Sequence, residues 1–129
     1  MSGSEKHLVV AVDDDFRVRE SIESLVESAG YAPLMFASAE EFLASDTLRC
    51  VMCLITDVRM PGISGIELQR RIRTERPKLP VIFITAHHDD ETRKRALDDG
   101  AARFLYKPFD AGELLEAIRV ALTGSLYQK

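Results

Sequence analysis

The sequence predicts a single α/β domain in which five strands alternate with five helices and the strands form one parallel, doubly wound (βα)5 sheet. The length of 129 residues, with 46% hydrophobic residues, suits one domain with its own core. Short apolar runs alternate strictly with amphipathic stretches, a pattern typical of parallel sheets with helices on both faces. The strand candidates are nearly continuous in apolar residues, as in strands buried on both faces.

The strand candidates are short runs rich in β-branched, aromatic and other apolar residues. Each is four to six residues long, which is the usual length of a strand in a small domain. In chain order they are 8–12, 32–36, 51–56, 81–84 and 102–106.

The first three helices carry recognisable start or stop signals. Apolar residues recur at helical spacing over 18–29, and Gly30 follows as a natural end of the helix. Ser38 and Ser64 are each followed three residues later by glutamate, the capping-box pattern that opens a helix. The third helix stops before Pro77 because proline cannot continue it.

The last two helices differ in how well they can be anchored. The fourth, over 89–99, offers only Ala96 and Leu97 as clear apolar contacts among many charged residues. The fifth begins at Asp110 and presents a regular apolar stripe up to residue 122. We therefore expect the fourth helix to be the one held least firmly.

Composition limits the kinds of partner that the chain can have. The net charge is −4 with both signs interspersed, so there is no basic surface for direct binding of nucleic acid or membrane. The longest apolar runs are five residues, far below a membrane span. The polar start lacks the apolar core of a signal peptide. We expect a cytoplasmic protein with a disordered segment over 1–6, one domain over 7–122, and a tail or the start of a linker over 123–129.

Cys50 and Cys53 have the C-x-x-C spacing of redox pairs and of zinc sites. A structural zinc site needs four ligands, and the chain has no second pair of cysteines. A redox pair places its first cysteine at a helix N-terminus, whereas Cys53 lies in a strand-like run. We interpret both as ordinary reduced cysteines, with Cys53 in the core.

Polar side chains follow four of the five predicted strands. Sites in open parallel sheets form at the carboxyl ends of the strands, so we expect these side chains to meet at one edge. They are Asp13, Asp14 and Asp15 after the first strand, Asp57 after the third, Thr85 after the fourth and Lys107 after the fifth.

These residue types together point to phosphoryl chemistry with a hard cation. Clustered carboxylates suit Mg²⁺, which prefers oxygen ligands and pairs with phosphate oxygens. A lysine pairs with a phosphoryl oxygen, and one carboxylate can act as a nucleophile that forms an aspartyl phosphate. Singly, each has an ordinary explanation, and Asp15 and Asp110 are best interpreted as helix N-caps. The cation would also offset the repulsion among the carboxylates.

Four short motifs occur in order along the chain. They are Val12-Asp13-Asp14, Asp57-Val58-Arg59-Met60-Pro61-Gly62-Ile63-Ser64-Gly65, Ile84-Thr85-Ala86 and Tyr106-Lys107-Pro108-Phe109. With these motifs the chain resembles the receiver domain of two-component response regulators over about residues 7–122, most closely the FixJ-type subgroup. The resemblance implies the flavodoxin-like strand order 2-1-3-4-5 and a sensor histidine kinase as partner. Receivers of this subgroup usually precede a helix-turn-helix output domain.

The resemblance assigns a role to each site residue. Asp57 would be the phosphoacceptor, and Asp14, Asp57 and the backbone carbonyl of Arg59 would ligate Mg²⁺. Asp13 would act on the metal through water. Thr85 and Lys107 would contact the phosphoryl group. The domain would be no enzyme in the ordinary sense, because it would catalyse only its own phosphorylation and dephosphorylation.

The resemblance also implies a switch and a peptide geometry. Thr85 would move towards the phosphoryl group and vacate space that the Phe104 ring fills from outside, changing the face formed by helix four, strand five and helix five. Phe104 has no hydroxyl, so it would act by packing alone. A phosphorylation-dependent homodimer through this face is a further expectation. The Lys107–Pro108 peptide would be cis, a rare geometry even before proline.

Three alternatives differ in function. A haloacid-dehalogenase-type phosphatase also uses a strand-end aspartate with Mg²⁺, but Arg17 stands where that motif wants Thr or Val, and its cap domain would have little room. A flavodoxin-like electron carrier would bind FMN phosphate in the first loop, where three aspartates would repel it. A receiver-like interaction module without phosphorylation would not require the complete set of site residues.

Overall fold

The five strands form one parallel sheet in the order β2-β1-β3-β4-β5. The computed structural model describes residues 6–127, with side chains described through residue 124. The predicted fold class and strand order are therefore confirmed, whereas the segment expected to be disordered lies, apart from Lys6, outside the described residues. The strands are β1 (Leu8–Val12), β2 (Ala32–Phe36), β3 (Cys53–Asp57), β4 (Val81–Thr85) and β5 (Arg103–Tyr106).

Five α-helices follow the strands, and one short 3₁₀ turn over Thr47–Arg49 precedes β3. The turn has no counterpart in the predicted elements because three residues are too few to show a periodicity. The last helix continues through Tyr127, into the segment 123–129 for which a tail or linker is expected. The helices are α1 (Phe16–Ser28), α2 (Ala39–Ala44), α3 (Gly65–Arg73), α4 (Asp90–Asp98) and α5 (Ala111–Tyr127).

Two hydrophobic layers enclose the sheet, one on each face. Alternate residues of each strand point to opposite faces, so that Val10 and Val9 of β1 belong to different layers. The layer containing Val10 packs against α2, α3 and α4, and includes Phe42 and Phe83. The layer containing Val9 packs against α1 and α5, and includes Ile118. This arrangement leaves the carboxyl edge of the sheet free for a site.

The predicted helix starts are confirmed at four positions. In each case a side-chain oxygen accepts a hydrogen bond from a backbone N–H of the first turn, which would otherwise lack a partner. The pairs are Asp15 with Arg17, Ser38 with Glu41, Ser64 with Glu67 and Asp110 with Glu113, at 2.9–3.1 Å.

The two cysteines are free, as the sequence suggested. Cys53 lies in β3 with no exposed surface, and burial raises the pKa of its thiol to about 12. A thiol with so high a pKa is not a nucleophile near neutral pH. Cys50 is exposed and lies before the strand. The pair therefore has a packing role at Cys53 and no redox geometry.

Helix α4 has much less apolar anchoring than α3, although both have nine residues. Helix α3 has four buried residues, whereas α4 has only Ala96. Polar contacts with α3 provide part of the anchoring that α4 lacks in apolar contacts. The Gln69 side-chain amide donates to the Ala96 carbonyl (3.3 Å), and Asp99 lies 3.7 Å from Arg70 and 3.8 Å from Arg73.

We therefore expect α4 to open at a lower free-energy cost than α3, since buried apolar contacts are what local opening must break. Native-state hydrogen exchange measured amide by amide should show the protected amides of α4 exchanging roughly tenfold faster than those of α3. The equal length of the two helices makes α3 a matched control. Equal protection of both helices would contradict the ranking.

Candidate functional site

The polar residues at the ends of β1, β3, β4 and β5 meet at the carboxyl edge of the sheet. Asp13 follows β1, and Asp57 and Thr85 are the last residues of β3 and β4. All three are buried, with at most 6% of their surface exposed. Asp14 lies in the bend after Asp13 and is exposed. Strand order explains the convergence, because these four strands are neighbours in the sheet.

Lys107 joins two of the carboxylates from the far side of β4. Its ammonium nitrogen Nζ lies 2.9 Å from Asp13 Oδ2 and 2.9 Å from Asp57 Oδ2, and it donates a hydrogen bond to Asp57. Only 17% of the lysine side chain is exposed. The Lys107 backbone is held as well, since its N–H donates to the Thr85 carbonyl (2.8 Å). The peptide between Lys107 and Pro108 is cis. The predicted cis geometry is confirmed.

Burial and charge act in opposite directions on this site. Burial raises the pKa of Asp13, and the Asp15 N–H and Lys107 that lower it only partly offset the effect. Burial would lower the pKa of Lys107, but its close contacts with the negatively charged Asp13 and Asp57 carboxylates outweigh burial, so the pKa is raised. Lys107 therefore stays protonated, and one positive charge faces a larger negative charge.

The donor set fits a magnesium ion. Carboxylate oxygens of Asp13, Asp14 and Asp57 lie within 4.8 Å of one another. Asp13 Oδ2 is buried and accepts no hydrogen bond with good geometry from the described residues, although Lys107 lies close to it. A carboxylate oxygen in that situation can accept from metal-bound water. The Arg59 N–H donates to Asp57 Oδ1 (3.3 Å), which brings the Arg59 backbone to the same place.

Thr85 connects the site to the loop before α4. Its hydroxyl oxygen accepts a hydrogen bond from the His87 N–H (3.1 Å). His88 stacks on Tyr106 of β5, with ring centroids 4.0 Å apart and planes 6° from parallel. Asp89 caps α4 by accepting from the Glu91 and Thr92 N–H groups. A displacement of Thr85 would therefore move the loop over 86–89 and, with it, the start of α4.

The position of Phe104 differs from the sequence-based expectation. The ring was expected to lie outside and to enter the core on activation, but it is already buried, with 8% exposed. It packs against Phe83 (centroids 5.9 Å apart) and Tyr106 (5.6 Å). The physical reason is that phenylalanine has no hydroxyl to keep its ring at the water interface, so burial is favourable in this state.

Several side-chain contacts around the site were not predicted from the sequence. Arg19 donates to the Asp13 carbonyl (2.8 Å) and lies over the exposed Phe16 ring. The Arg59 guanidinium lies 3.8 Å from the Asp89 carboxylate, and both side chains are substantially exposed. The only available signal was for Asp89, because aspartate before a helical stretch is a common N-cap. The other contacts depend on tertiary structure.

The fold and this edge site together define an α/β domain suited to binding a divalent cation and a phosphoryl group. Comparison with known proteins identifies the family to which this domain belongs. The family model described as response regulator receiver domain matches residues 9–119. The chain therefore belongs to the response regulator receiver domain family. Such domains are phosphorylated on an aspartate in two-component signalling, and the phosphatase and unphosphorylated-module alternatives are not favoured. Receiver domains bind Mg²⁺ at an acidic pocket and partner with histidine kinases.

Relatives in sequence and structure agree with this assignment. The chain is 41% identical over 118 residues to nodulation protein W of Bradyrhizobium diazoefficiens, covering 92% of this chain and 52% of the relative. It is 42% identical over 120 residues to the transcriptional regulatory protein FixJ of Azorhizobium caulinodans, covering 93% and 57%. The crystal structure titled FixJ-N superposes with a TM-score of 0.81 at 36% identity, covering 97% and 98%.

The chain thus spans just over half the length of these two curated relatives. Among the helices of residues 6–127, none combines the length and apolarity needed to cross a membrane.

Neutralising Asp14 should stabilise the metal-free protein and weaken metal binding together. Asp14→Asn removes one charge from the acidic cluster but leaves both partners of Lys107 in place, so the metal-free Tm should rise by about 2–5 °C. Mg²⁺ affinity measured by calorimetric titration should fall by roughly tenfold or more, since even residues that only support metal ligands can change affinity that much.

Asp15→Asn is the matched control for this experiment. It removes the same charge one residue further along, outside the acidic cluster, and asparagine still caps α1. Both quantities should stay near the wild-type values in the control. An unchanged Mg²⁺ affinity in Asp14→Asn would remove Asp14 from the ligand set.

Proposed function

We propose that Asp57 is the phosphoacceptor of this receiver domain. The observation that supports the assignment is that its carboxylate contacts both the acidic cluster and a positively charged donor. Asp57 belongs to the acidic cluster and also accepts the hydrogen bond from the Lys107 ammonium. Asp13 is less suited to attack, because its Oδ1 accepts a shorter backbone hydrogen bond (2.9 Å from the Asp15 N–H) than Asp57 Oδ1 does (3.3 Å from the Arg59 N–H). It is also less exposed, at 1% of its surface against 6% for Asp57.

In the reaction, an Asp57 carboxylate oxygen forms a bond to the phosphorus of the donor. The bond from phosphorus to the leaving group breaks, and the leaving group takes the electron pair. Lys107 neutralises the charge that gathers on the phosphoryl oxygens and on the carboxylates around it. Asp14, Asp57 and the Arg59 carbonyl would hold Mg²⁺, with Asp13 acting through water. The bound ion would supply positive charge that lets an anionic donor approach these carboxylates.

The donor is a phosphohistidine of a sensor histidine kinase or a small phosphodonor. The domain contributes the nucleophile and the groups that stabilise charge, so it promotes its own phosphorylation. It then returns to the starting state when water cleaves the acyl phosphate. On this view the chain is a signalling domain and turns over no separate substrate.

The signal leaves the site through Thr85. A phosphoryl group on Asp57 adds nearly two negative charges and new acceptor oxygens. The Thr85 hydroxyl, which now accepts from the His87 N–H, would turn to donate to one of those oxygens. That movement would shift the following loop, which carries the stacked His88 ring and the Asp89 cap of α4. Phe104, lying next to Tyr106, would repack with the loop and need not enter from outside.

The altered surface is the face formed by α4, β5 and α5, and we infer that phosphorylation promotes a homodimer through it. Arg93 and Lys94 of α4 are exposed, and Arg103 of β5 lies 4.0 Å from Glu113 of α5. Arg95 is exposed too, but it lines a surface pocket with Arg70 of α3. Asp98 is also exposed, so both signs of charge are available to a second copy. Asp99 is turned towards α3 instead, which leaves it out of this face.

Asp57→Asn should abolish the stable phosphoryl adduct while preserving the fold, since the side chain keeps its size and loses a repelling charge. Intact-mass spectrometry after incubation with acetyl phosphate and Mg²⁺ should show one added phosphoryl group in the wild type and none in the variant. Asp46→Asn, an exposed aspartate outside the acidic cluster, is the matched control. Phosphorylation of Asp57→Asn at the wild-type rate would refute the assignment.

Beryllofluoride with Mg²⁺, a phosphoryl mimic, should shift the protein from monomer to dimer in sedimentation velocity. Thr85→Ala should weaken that shift because it removes the hydroxyl that senses the phosphoryl oxygens. Thr74→Ala, at the exposed end of α3, is the control and should dimerise like the wild type. If the wild type with beryllofluoride stays monomeric at high concentration, the proposed homodimer is refuted, but the assignment of Asp57 as phosphoacceptor is unaffected.

A further inference from the structure

A carboxylate from α2 reaches the loop that follows Asp57. Glu40 Oε2 accepts a hydrogen bond from the Ile63 N–H (2.9 Å), although the two residues are 23 positions apart in the chain. The bond lowers the pKa of Glu40, so the side chain is ionised at neutral pH and the bond is charge-assisted. Glu40 is exposed and contributes nothing to the core. Its contact with the loop is therefore a specific polar one.

The loop has no side chain at the point where Glu40 arrives. Gly62 has a φ of +79°, a backbone conformation that glycine adopts readily. A Cβ built on Gly62 would collide with the Glu40 carboxylate. The turn and the carboxylate thus fit each other, and the close approach requires glycine at this position.

This loop carries the groups that face the acidic cluster. Its start is fixed because the Gly65 N–H donates to the Val58 carbonyl (2.9 Å) and the Gly65 Cα abuts the Asp57 carbonyl. Its far side is held by Glu40. Between these two ties lies Arg59, whose N–H reaches Asp57 Oδ1. The position of the Arg59 backbone therefore depends on both ties.

We propose that Glu40 is a positioning residue for the metal site: its carboxylate holds the loop over 58–64 so that the Arg59 backbone carbonyl is presented to a cation bound by Asp14 and Asp57. This inference rests on the proposed function, since it takes the acidic cluster as the magnesium site. Glu40 itself does not touch the cation in this proposal. It acts through the Ile63 N–H and the turn at Gly62.

The test uses the metal-free protein first and magnesium second. Hydrogen exchange of the Ile63 amide should be at least roughly tenfold faster in Glu40→Ala than in the wild type, because the bond is lost. Mg²⁺ affinity of the same variant should fall by roughly tenfold, the usual effect of removing a group that orients a metal ligand. Glu40→Gln keeps an acceptor oxygen and should restore most of both properties.

Glu41→Ala is the charge-matched control, since Glu41 lies on the same turn of α2 and its carboxylate bonds the Ala37 N–H instead. It should leave Ile63 exchange and Mg²⁺ affinity near wild type. Unchanged Ile63 exchange in Glu40→Ala would overturn the proposal. So would faster exchange with unchanged Mg²⁺ affinity, or an equal loss of affinity in Glu40→Gln, which would point to charge rather than position.

Failure of the proposed function looks different from failure of this inference. If the wild type binds no Mg²⁺, the metal-site assignment fails and the role of Glu40 towards it falls too. If the wild type binds Mg²⁺ and is phosphorylated on Asp57, but Glu40→Ala matches it in affinity, only the role of Glu40 is overturned. Hydrogen exchange of the Ile63 amide is measured in the metal-free protein, so it depends neither on Mg²⁺ binding nor on phosphorylation of Asp57.

Discussion

The site depends on one ammonium group placed between two buried carboxylates. Lys107 Nζ lies 2.9 Å from both Asp13 and Asp57, and without it these acids would face each other at the sheet edge with no compensating charge. Removing one partner of a buried ion pair is strongly unfavourable, so this contact constrains its neighbourhood. Because β4 lies between β3 and β5, the long lysine side chain must cross a strand, and it thereby ties the ends of β1, β3 and β5 together.

The same ion pair leaves the site short of positive charge. Three carboxylates cluster around one lysine, and Asp13 Oδ2 is buried without a hydrogen bond from the described residues. An edge with this charge attracts a hard cation, and a cation held there makes an anionic phosphoryl donor acceptable. The structural cost of crowding Asp13, Asp14 and Asp57 is thus the source of the proposed function. A site without this excess negative charge would be more stable in the absence of ligand, but it would not attract a cation or, through it, an anionic phosphoryl donor.

Local patterns were sufficient to predict the elements and the edge at which the site lies. Apolar runs and caps are local signals, and the geometry of a parallel sheet brings strand ends together whatever their separation in sequence. The conformation of Phe104 was wrongly expected because the space available to a ring is set by its neighbours, here Phe83 and Tyr106. The hydrogen bond between Glu40 and Ile63 joins residues 23 positions apart, and no periodic pattern in the sequence predicts it. What the sequence does not reveal is therefore mainly tertiary side-chain contact.

The distribution of apolar burial indicates which parts of the domain can respond to a charge at the site. Helices α1 and α5 pack on a continuous apolar layer, so moving them would expose core residues. The start of α4 is held by hydrogen bonds at Thr85 and Asp89 and by the stacking of His88 on Tyr106, and the helix buries only Ala96. The exposed pair of Arg59 and Asp89 adds little to this, since solvent-exposed ion pairs are weak. A new charge on Asp57 competes directly with polar contacts and only indirectly with apolar packing. We therefore expect a charge on Asp57 to move α4, the helix in which only Ala96 is fully buried among the described residues.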